Sequence, residues 1–201
     1  MPKPTDFYVT VIDFFGALIP GAVLMCLYAH ALAALADIPI LASTHAAWPA
    51  FFVISFVAGQ LMLGAGVPFN DLILYCQPHK HDKLYAAAKA VAHAEPAAPS
   101  NKKETFYRVH AFLRLHSLDA VSDVERQIAE YKLFRSLAIV FAIDFAVSMV
   151  LGMPARRIFL AAAMSGLAFW RYAFLLQWTY RMAFEYFILL PKTRKTSTNA
   201  A

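Results

Sequence analysis

Four long apolar stretches dominate the order of residues along the chain. They cover residues 14–35, 48–67, 136–151 and 158–180, and they end near charged residues or at glycine and proline. At 1.5 Å per residue, about 20 apolar residues of helix cross a hydrocarbon core about 30 Å thick. The pattern therefore predicts an all-α polytopic integral membrane protein with four transmembrane helices.

The third and fourth stretches are expected to continue as helices beyond the membrane. Val121, Val124 and Ile128 form an apolar stripe that runs into the third stretch without a helix breaker, which predicts one helix from about residue 120 to 151. The fourth stretch stays apolar or aromatic as far as Leu190, which is longer than a span needs. Pro191 is expected to end that helix.

These patterns divide the chain into four parts. Residues 1–67 form a transmembrane hairpin, and residues 68–135 form a helical cytoplasmic segment between spans 2 and 3. Residues 136–190 form a second hairpin whose last span extends into the cytoplasm, and residues 191–201 are a basic tail. The hydrophobic content of 60% agrees with this division, because soluble domains contain roughly 45–50% apolar residues.

The distribution of basic residues predicts the orientation. Ten of the 18 Lys and Arg lie in residues 68–135, and residues 37–47 contain none. Basic residues collect in cytoplasmic loops, so both termini and the large segment are expected in the cytoplasm. Arg156 and Arg157, in the turn between spans 3 and 4, oppose this orientation but are outnumbered. The same rule accounts for the net charge of +5, so nucleic acid is not an expected partner.

Two pairs of small residues are spaced for close packing of the first two spans. Ala17 and Gly21 lie four residues apart, and so do Ser55 and Gly59. This spacing lets helix backbones approach closely inside a membrane. The four residues are therefore predicted helix-packing residues.

Asp144 and Arg171 are the charged residues that the sequence places at span depth. Counted from Arg135 and Tyr180, the predicted inner ends of spans 3 and 4, each lies about 13 Å deep. Charges at such depth are usually paired or functional. We predict a salt bridge between them, within one chain or between neighbours. It either joins two helices or forms a gate, an ion-path lining or an oligomer contact.

Further candidate residues lie on the cytoplasmic side. Asp13 precedes the first span and is either an interfacial capping residue or an acid at the mouth of an oligomeric pore. The predicted residues for docking a cytoplasmic protein are Phe106, Phe112, Arg114 and Tyr131.

Sequence motifs for catalysis are absent. The chain has no P-loop, no GxSxG elbow, no HExxH and no dinucleotide fingerprint. Cys76, His79 and His81 lie close together but form a loose pattern, whereas a metal site needs three or four converging ligands. No enzyme activity, cofactor, metal or small-molecule substrate is therefore expected.

Two stretches resemble a known group of proteins. DFFGALIPG at residues 13–21 and EYKLFRSLA at residues 130–138 resemble small four-span membrane proteins encoded in prokaryotic antiviral defence loci. The membrane subunit of the Kiwa defence system and the membrane accessory proteins beside some RNA-targeting CRISPR systems are similar in size and layout. The resemblance implies a non-enzymatic oligomer that senses disturbance of the envelope, or compromises the membrane, together with a cytoplasmic partner.

With this resemblance, the chain is expected to be a homo-oligomeric protein of the bacterial inner membrane that acts in an antiviral defence system. Its leading interpretation is an envelope sensor or scaffold that docks a cytoplasmic protein. A pore-forming or depolarising effector is the first alternative, and the few polar residues in the spans weigh against it. A small transporter or membrane-embedded enzyme is the second, but the two halves do not look like internal repeats.

Overall fold

A computed structural model describes residues 14–28, 47–76, 84–87 and 102–198 of the chain. Over these residues the chain is helical apart from short turns, so the all-α prediction is confirmed for them. Residues 84–87 form one helical turn. The longer helices are α1 (Phe14–Tyr28), α2 (Ala47–Ala65), α3 (Val67–Cys76), α4 (Lys102–His116), α5 (Leu118–Val150) and α6 (Ala155–Thr198).

Within the described residues, three segments are long and apolar enough to cross a membrane. They are Trp48–Leu74, Leu118–Val150 and Ala155–Leu190. The first runs through α2 and α3, which are separated by a single turn residue, Gly66. The second apolar stretch therefore continues past residue 67, where the sequence predicted its end. α1 is shorter, and residues 29–35 lie outside the described part of the chain.

The long helices α5 and α6 run without interruption. α5 starts after Ser117, whose hydroxyl accepts a hydrogen bond from the Ala120 N–H at 3.3 Å and so caps the helix. The predicted continuous helix over about residues 120–151 is thereby confirmed. α6 passes Pro191 and reaches Thr198, so the prediction that Pro191 ends it is wrong. The proline removes one N–H donor, but its fixed φ is compatible with helical geometry.

A tight turn joins α5 to α6. Gly152 has a φ of +61°, a left-handed conformation that favours glycine. The Met153 N–H donates to the Ser148 carbonyl at 2.9 Å, which closes a cap of the Schellman type at the end of α5. α6 begins directly after Pro154, so the two helices form a hairpin.

The helices pack into two compact units. The first contains Met1–Leu72 and Ala129–Phe174, and the second contains Ile73–Ile128 and Leu175–Ala201. The predicted organisation assigned residues 68–135 to one segment. The units differ from it because residues 68–72 and 129–135 belong to the first unit, whereas the end of α6 belongs to the second.

The second unit has an apolar core of its own. Phe106, Val109 and Leu113 recur at helical spacing on one face of α4, and faces of α5 and α6 complete the core. The rings of Phe106 and Tyr180 stack with their centroids 4.3 Å apart. The buried members are Phe106, Val109, Leu113, Ala120, Val121, Val124, Ala183, Phe184 and Phe187.

Leu113→Ala is expected to destabilise the second unit by about 2–5 kcal/mol, the usual cost of truncating a buried leucine. Leu113 is fully buried, whereas Leu115 on the same helix is 82% exposed. Leu115→Ala is therefore the matched control, with an expected change below about 0.5 kcal/mol. Hydrogen exchange of the α4 amides in detergent measures both variants. Equal protection of α4 in the two would contradict the assignment of this core.

Candidate functional site

The predicted small residues lie where α1 and α2 cross. Ala17, Gly21, Ser55 and Gly59 are all buried. A Cβ added to Gly21 would collide with the Ser55 carbonyl, and one added to Gly59 would collide with the Ala17 carbonyl. The two backbones are therefore in direct contact, as the small-xxx-small spacing allows.

Asp144 is the most deeply buried carboxylate among the described residues of the first unit, and it lies on α5 in contact with α1 and α6. Its side chain is almost fully enclosed, with the whole residue 4% exposed. Arg157 donates from Nη2 to Oδ1 of Asp144 at 2.8 Å, and the Tyr28 hydroxyl donates to the same oxygen at 3.3 Å. The carboxylate thus links α1, α5 and α6 through one charge-assisted and one neutral donor.

The salt bridge predicted between Asp144 and Arg171 is not formed within the chain, because Asp144 pairs with Arg157 instead. The depth estimate for Arg171 was wrong. Residues equally far from the Gly152 turn lie at the same level of the hairpin, which puts Arg171 beside Phe134. Asp144 lies about 15 Å further along the helix axis. The guanidinium of Arg171 lies over the rings of Phe134 and Phe174, 5.9 Å and 5.7 Å from their centroids.

A second polar cluster surrounds Arg135 and was missed by the sequence analysis. Arg135 is 5% exposed and donates from Nη1 to Oδ1 of Asn70 at 3.1 Å and from Nη2 to the Leu63 carbonyl at 2.9 Å. The Tyr172 hydroxyl donates to the same Asn70 oxygen at 2.6 Å. A Cβ on Gly66 would collide with the Arg135 side chain, so the α2–α3 break makes room for it. From the sequence, Arg135 is predicted at the inner end of span 3 and Asn70 in the cytoplasmic segment.

The predicted docking residues occupy different environments. Phe106 is buried in the core of the second unit, so its prediction as a docking residue is wrong. Phe112 packs edge-to-face on Phe187, with centroids 5.0 Å apart. Arg114 is exposed and pairs with Glu125 at 2.7 Å. An aromatic at helical spacing on α4 fits a core position as well as a surface one, which is why the sequence alone did not separate them.

The remaining four candidates are Tyr131, Asp13, His79 and His81. Tyr131 belongs to the first unit, where its ring lies 6.3 Å from that of Tyr172. Asp13, His79 and His81 lie outside the described residues.

His110 lies in a charged cluster of the second unit. Its Nε2 is 3.7 Å from Oε1 of Glu125, to which Arg114 donates at 2.7 Å. Burial lowers the pKa of His110 from its ordinary value of 6.5, Arg114 lowers it further, and Glu125 opposes both. Proximity to Glu125 alone would favour a charged His110 ring, but that carboxylate already forms a salt bridge with Arg114. The imidazole is therefore neutral near pH 7.

The stability of the second unit is expected to fall as the pH drops below about 6.5. Because the pKa of His110 is lowered in the folded state, unfolded His110 binds a proton more readily than folded His110. Its contribution is complete above the unfolded pKa and is lost as the pH falls through the folded pKa. His110→Gln should flatten this slope in thermal unfolding, whereas His116→Gln leaves His110 in place and should keep it. The same slope in wild type and His110→Gln would contradict the assignment.

The described part of the chain is all-helical, and its three long apolar segments indicate a helical membrane protein. Comparison with protein-family models, curated proteins and solved structures finds no match to it. Its function is therefore inferred from its own residues.

Proposed function

We propose that the chain is a non-enzymatic membrane scaffold that crosses the bilayer four times and docks a soluble protein on its second unit. Three spans correspond to the long apolar segments. α1 supports a fourth, because Ala17 and Gly21 pack directly on α2, which lies in one of those segments. The remainder of the first apolar stretch supplies enough residues to complete a span.

The observation that carries the proposal is the separate apolar core of the second unit. The start of α5 and the end of α6 contribute to it together with α4. A protein that only crossed the bilayer would not need a packed helical unit built on continuations of its membrane helices. Tyr107, Leu115 and Leu118 are large apolar residues that this unit leaves exposed. They are the surface on which we expect a soluble protein to dock.

The orientation with the second unit in the cytoplasm is supported by the Asp144–Arg157 contact. Arg156 and Arg157 opposed it, because they place two positive charges at the outer turn. Arg157 bonds to the buried Asp144 carboxylate, so its charge is compensated within the first unit. The remaining basic residues favour the segment after Leu74 inside, because nine Lys and Arg lie between residues 75 and 134.

A scaffold is favoured over a pore by the way the charged residues of the first unit are engaged. Asp144 bonds to Arg157, and Arg135 bonds to Asn70 and to the Leu63 carbonyl. Arg171 lies over two aromatic rings. A conducting path would need such groups to face water. Purified protein in planar bilayers is therefore expected to give no steady current, and reproducible unitary currents would overturn the scaffold proposal.

The biological setting we propose is bacterial antiviral defence, in the inner membrane and as a homo-oligomer. It rests on the resemblance of residues 13–21 and 130–138 to membrane proteins of defence loci. Deleting the gene from its native locus is expected to raise phage plating efficiency by at least about tenfold for some phages of a broad panel. Unchanged plating of every phage in that panel would contradict this setting.

Docking is tested by co-flotation of membranes with the soluble protein encoded beside this gene. Leu115→Glu puts a charge on the most exposed leucine of α4 and is expected to reduce co-flotation at least about tenfold. Leu189→Glu makes the same change at an exposed leucine of α6 and should retain it. Full co-flotation of the Leu115→Glu variant would rule out this docking surface.

A further inference from the structure

A cavity of about 260 Å³ lies between α5 and α6 in the first unit. Its walls are mostly apolar and include Ile139, Phe169 and Phe69, while Arg135 and Tyr172 also line it. Ser165 offers no free donor, because its hydroxyl donates to the Ala138 carbonyl at 3.1 Å. The volume is below the roughly 300–1,000 Å³ typical of pockets for drug-sized ligands. A narrow, flexible chain fits it better than a ring system.

The cation that lines this cavity has no salt-bridge partner among the described residues. Arg135 is 5% exposed, and its two bonded acceptors, the Asn70 side chain and the Leu63 carbonyl, are neutral. Its Nε has no hydrogen-bond partner among the described residues. No described carboxylate forms a salt bridge with it. A buried, uncompensated charge is costly, so an anion beside this guanidinium would be stabilising.

The position of Arg135 along α5 gives the depth of its charge in the bilayer. Arg135 lies about 24 Å from Leu151 along α5, and a hydrocarbon core is about 30 Å thick. If Leu151 marks one boundary, the guanidinium is a few ångströms inside the other. Ile139 and Ala142 follow Arg135 towards the bilayer centre, and both line the cavity. The cation is thus at the headgroup end of an apolar crevice.

The crevice opens to the outer surface of the unit. Ala142, Gly166 and Phe169 line it and are themselves exposed. In a span, such surface faces lipid, so a chain can enter from the side without crossing protein.

We propose that this crevice is a binding site for an anionic phospholipid, with its phosphate beside Arg135 and one acyl chain between α5 and α6. The phosphate oxygens accept from the guanidinium, which supplies a counter-charge. The acyl chain covers the apolar walls. The site lies in the first unit, and it is independent of protein docking on the second.

The test measures lipid binding to the purified full-length chain by native mass spectrometry. Phosphatidylglycerol is expected to bind at least about tenfold more tightly than phosphatidylcholine, whose headgroup carries no net charge. Ala142→Phe fills the crevice while leaving Arg135 and its partners unchanged, and it should lower phosphatidylglycerol affinity at least about tenfold. Ala146→Phe adds the same ring at an exposed alanine one turn further along α5, outside the crevice, and should change it less than about twofold.

The headgroup contact is tested separately. Arg135→Gln should remove the preference for phosphatidylglycerol over phosphatidylcholine while acyl-chain binding remains. Equal affinity of the wild type for the two lipids, or an Ala142→Phe variant that binds like the wild type, would overturn the proposal. Binding of oleate at this site without binding of phosphatidylglycerol would also overturn it, because the ligand would then be a free fatty acid. Circular dichroism of each variant verifies that it is folded. If the Arg135→Gln variant does not fold, Ala142→Phe still decides the test.

Discussion

Gly59→Ala is expected to destabilise the first unit by about 3 kcal/mol, although it adds a single methyl group. Overpacking costs about 1–3 kcal/mol, and here the upper end applies because the obstacle is backbone. The new Cβ would meet the Ala17 carbonyl and Cα, which cannot rotate away as a side chain can. α1 must then move away from α2. Gly21→Ala meets the Ser55 carbonyl in the same way and should have a similar effect.

Gly64→Ala is the matched control for this prediction. Gly64 lies on the same helix, and a Cβ there would meet no atom within 4 Å. Helix propensity favours alanine over glycine, so this variant should be neutral or slightly stabilised. Thermal unfolding in detergent, followed by size-exclusion chromatography, compares the variants. Equal midpoints for Gly59→Ala and Gly64→Ala would show that α1 and α2 do not pack as described.

Arg157→Met is the second change with a large expected effect, a loss of about 3 kcal/mol from the first unit. Breaking a buried ion pair from one side costs about 3–5 kcal/mol, because the remaining charge stays buried. Because the Arg157 side chain is 38% exposed, the expected loss lies at the lower end of this range. The buried Asp144 carboxylate would retain the Tyr28 hydroxyl as its hydrogen-bond donor. Arg171→Met is the control and should cost about 1 kcal/mol, the value of a cation–π contact.

A double variant separates the charge effect from lost packing. Asp144→Asn combined with Arg157→Met removes both charges, so it should be more stable than Arg157→Met alone. The same thermal assay measures both. If Arg171→Met were the more damaging of the two single arginine variants, the originally predicted Asp144–Arg171 pair would regain support, formed between neighbouring chains.

The helices were largely predictable because their signals are local. The Val121–Val124–Ile128 stripe and the missing breaker before residue 136 led directly to α5. Close packing of α1 on α2 depends on small side chains, and residue size can be read directly from the sequence. The residues concerned are Ala17, Gly21, Ser55 and Gly59. The exceptions were Gly66 and Pro191. The apolar segment continues past the turn at Gly66, and the helix continues past Pro191 although the apolar segment ends at Leu190.

The polar contacts were less predictable because they depend on register between helices. Arg171 was assigned to Asp144 from estimated span ends, and an error of a few residues at each end misplaced the pairing. Counting from the Gly152 turn would have corrected it, since the turn was visible in the sequence. No such landmark relates Asn70 to Arg135, which are 65 residues apart. Phe106 could not be separated from a surface aromatic without the partner helix that covers it.

The Asp144–Arg157 contact also bears on how the chain enters the bilayer during synthesis. In the proposed orientation, α5 and α6 insert as a hairpin whose Gly152 turn passes through the hydrocarbon together with Arg157. A lone arginine at the middle of a membrane helix costs about 2.5–3.5 kcal/mol on insertion scales. Bonded to Asp144, the guanidinium passes as half of a neutral pair, at lower cost. If this contact forms before translocation, the proposed orientation implies that folding of the hairpin is coupled to its insertion.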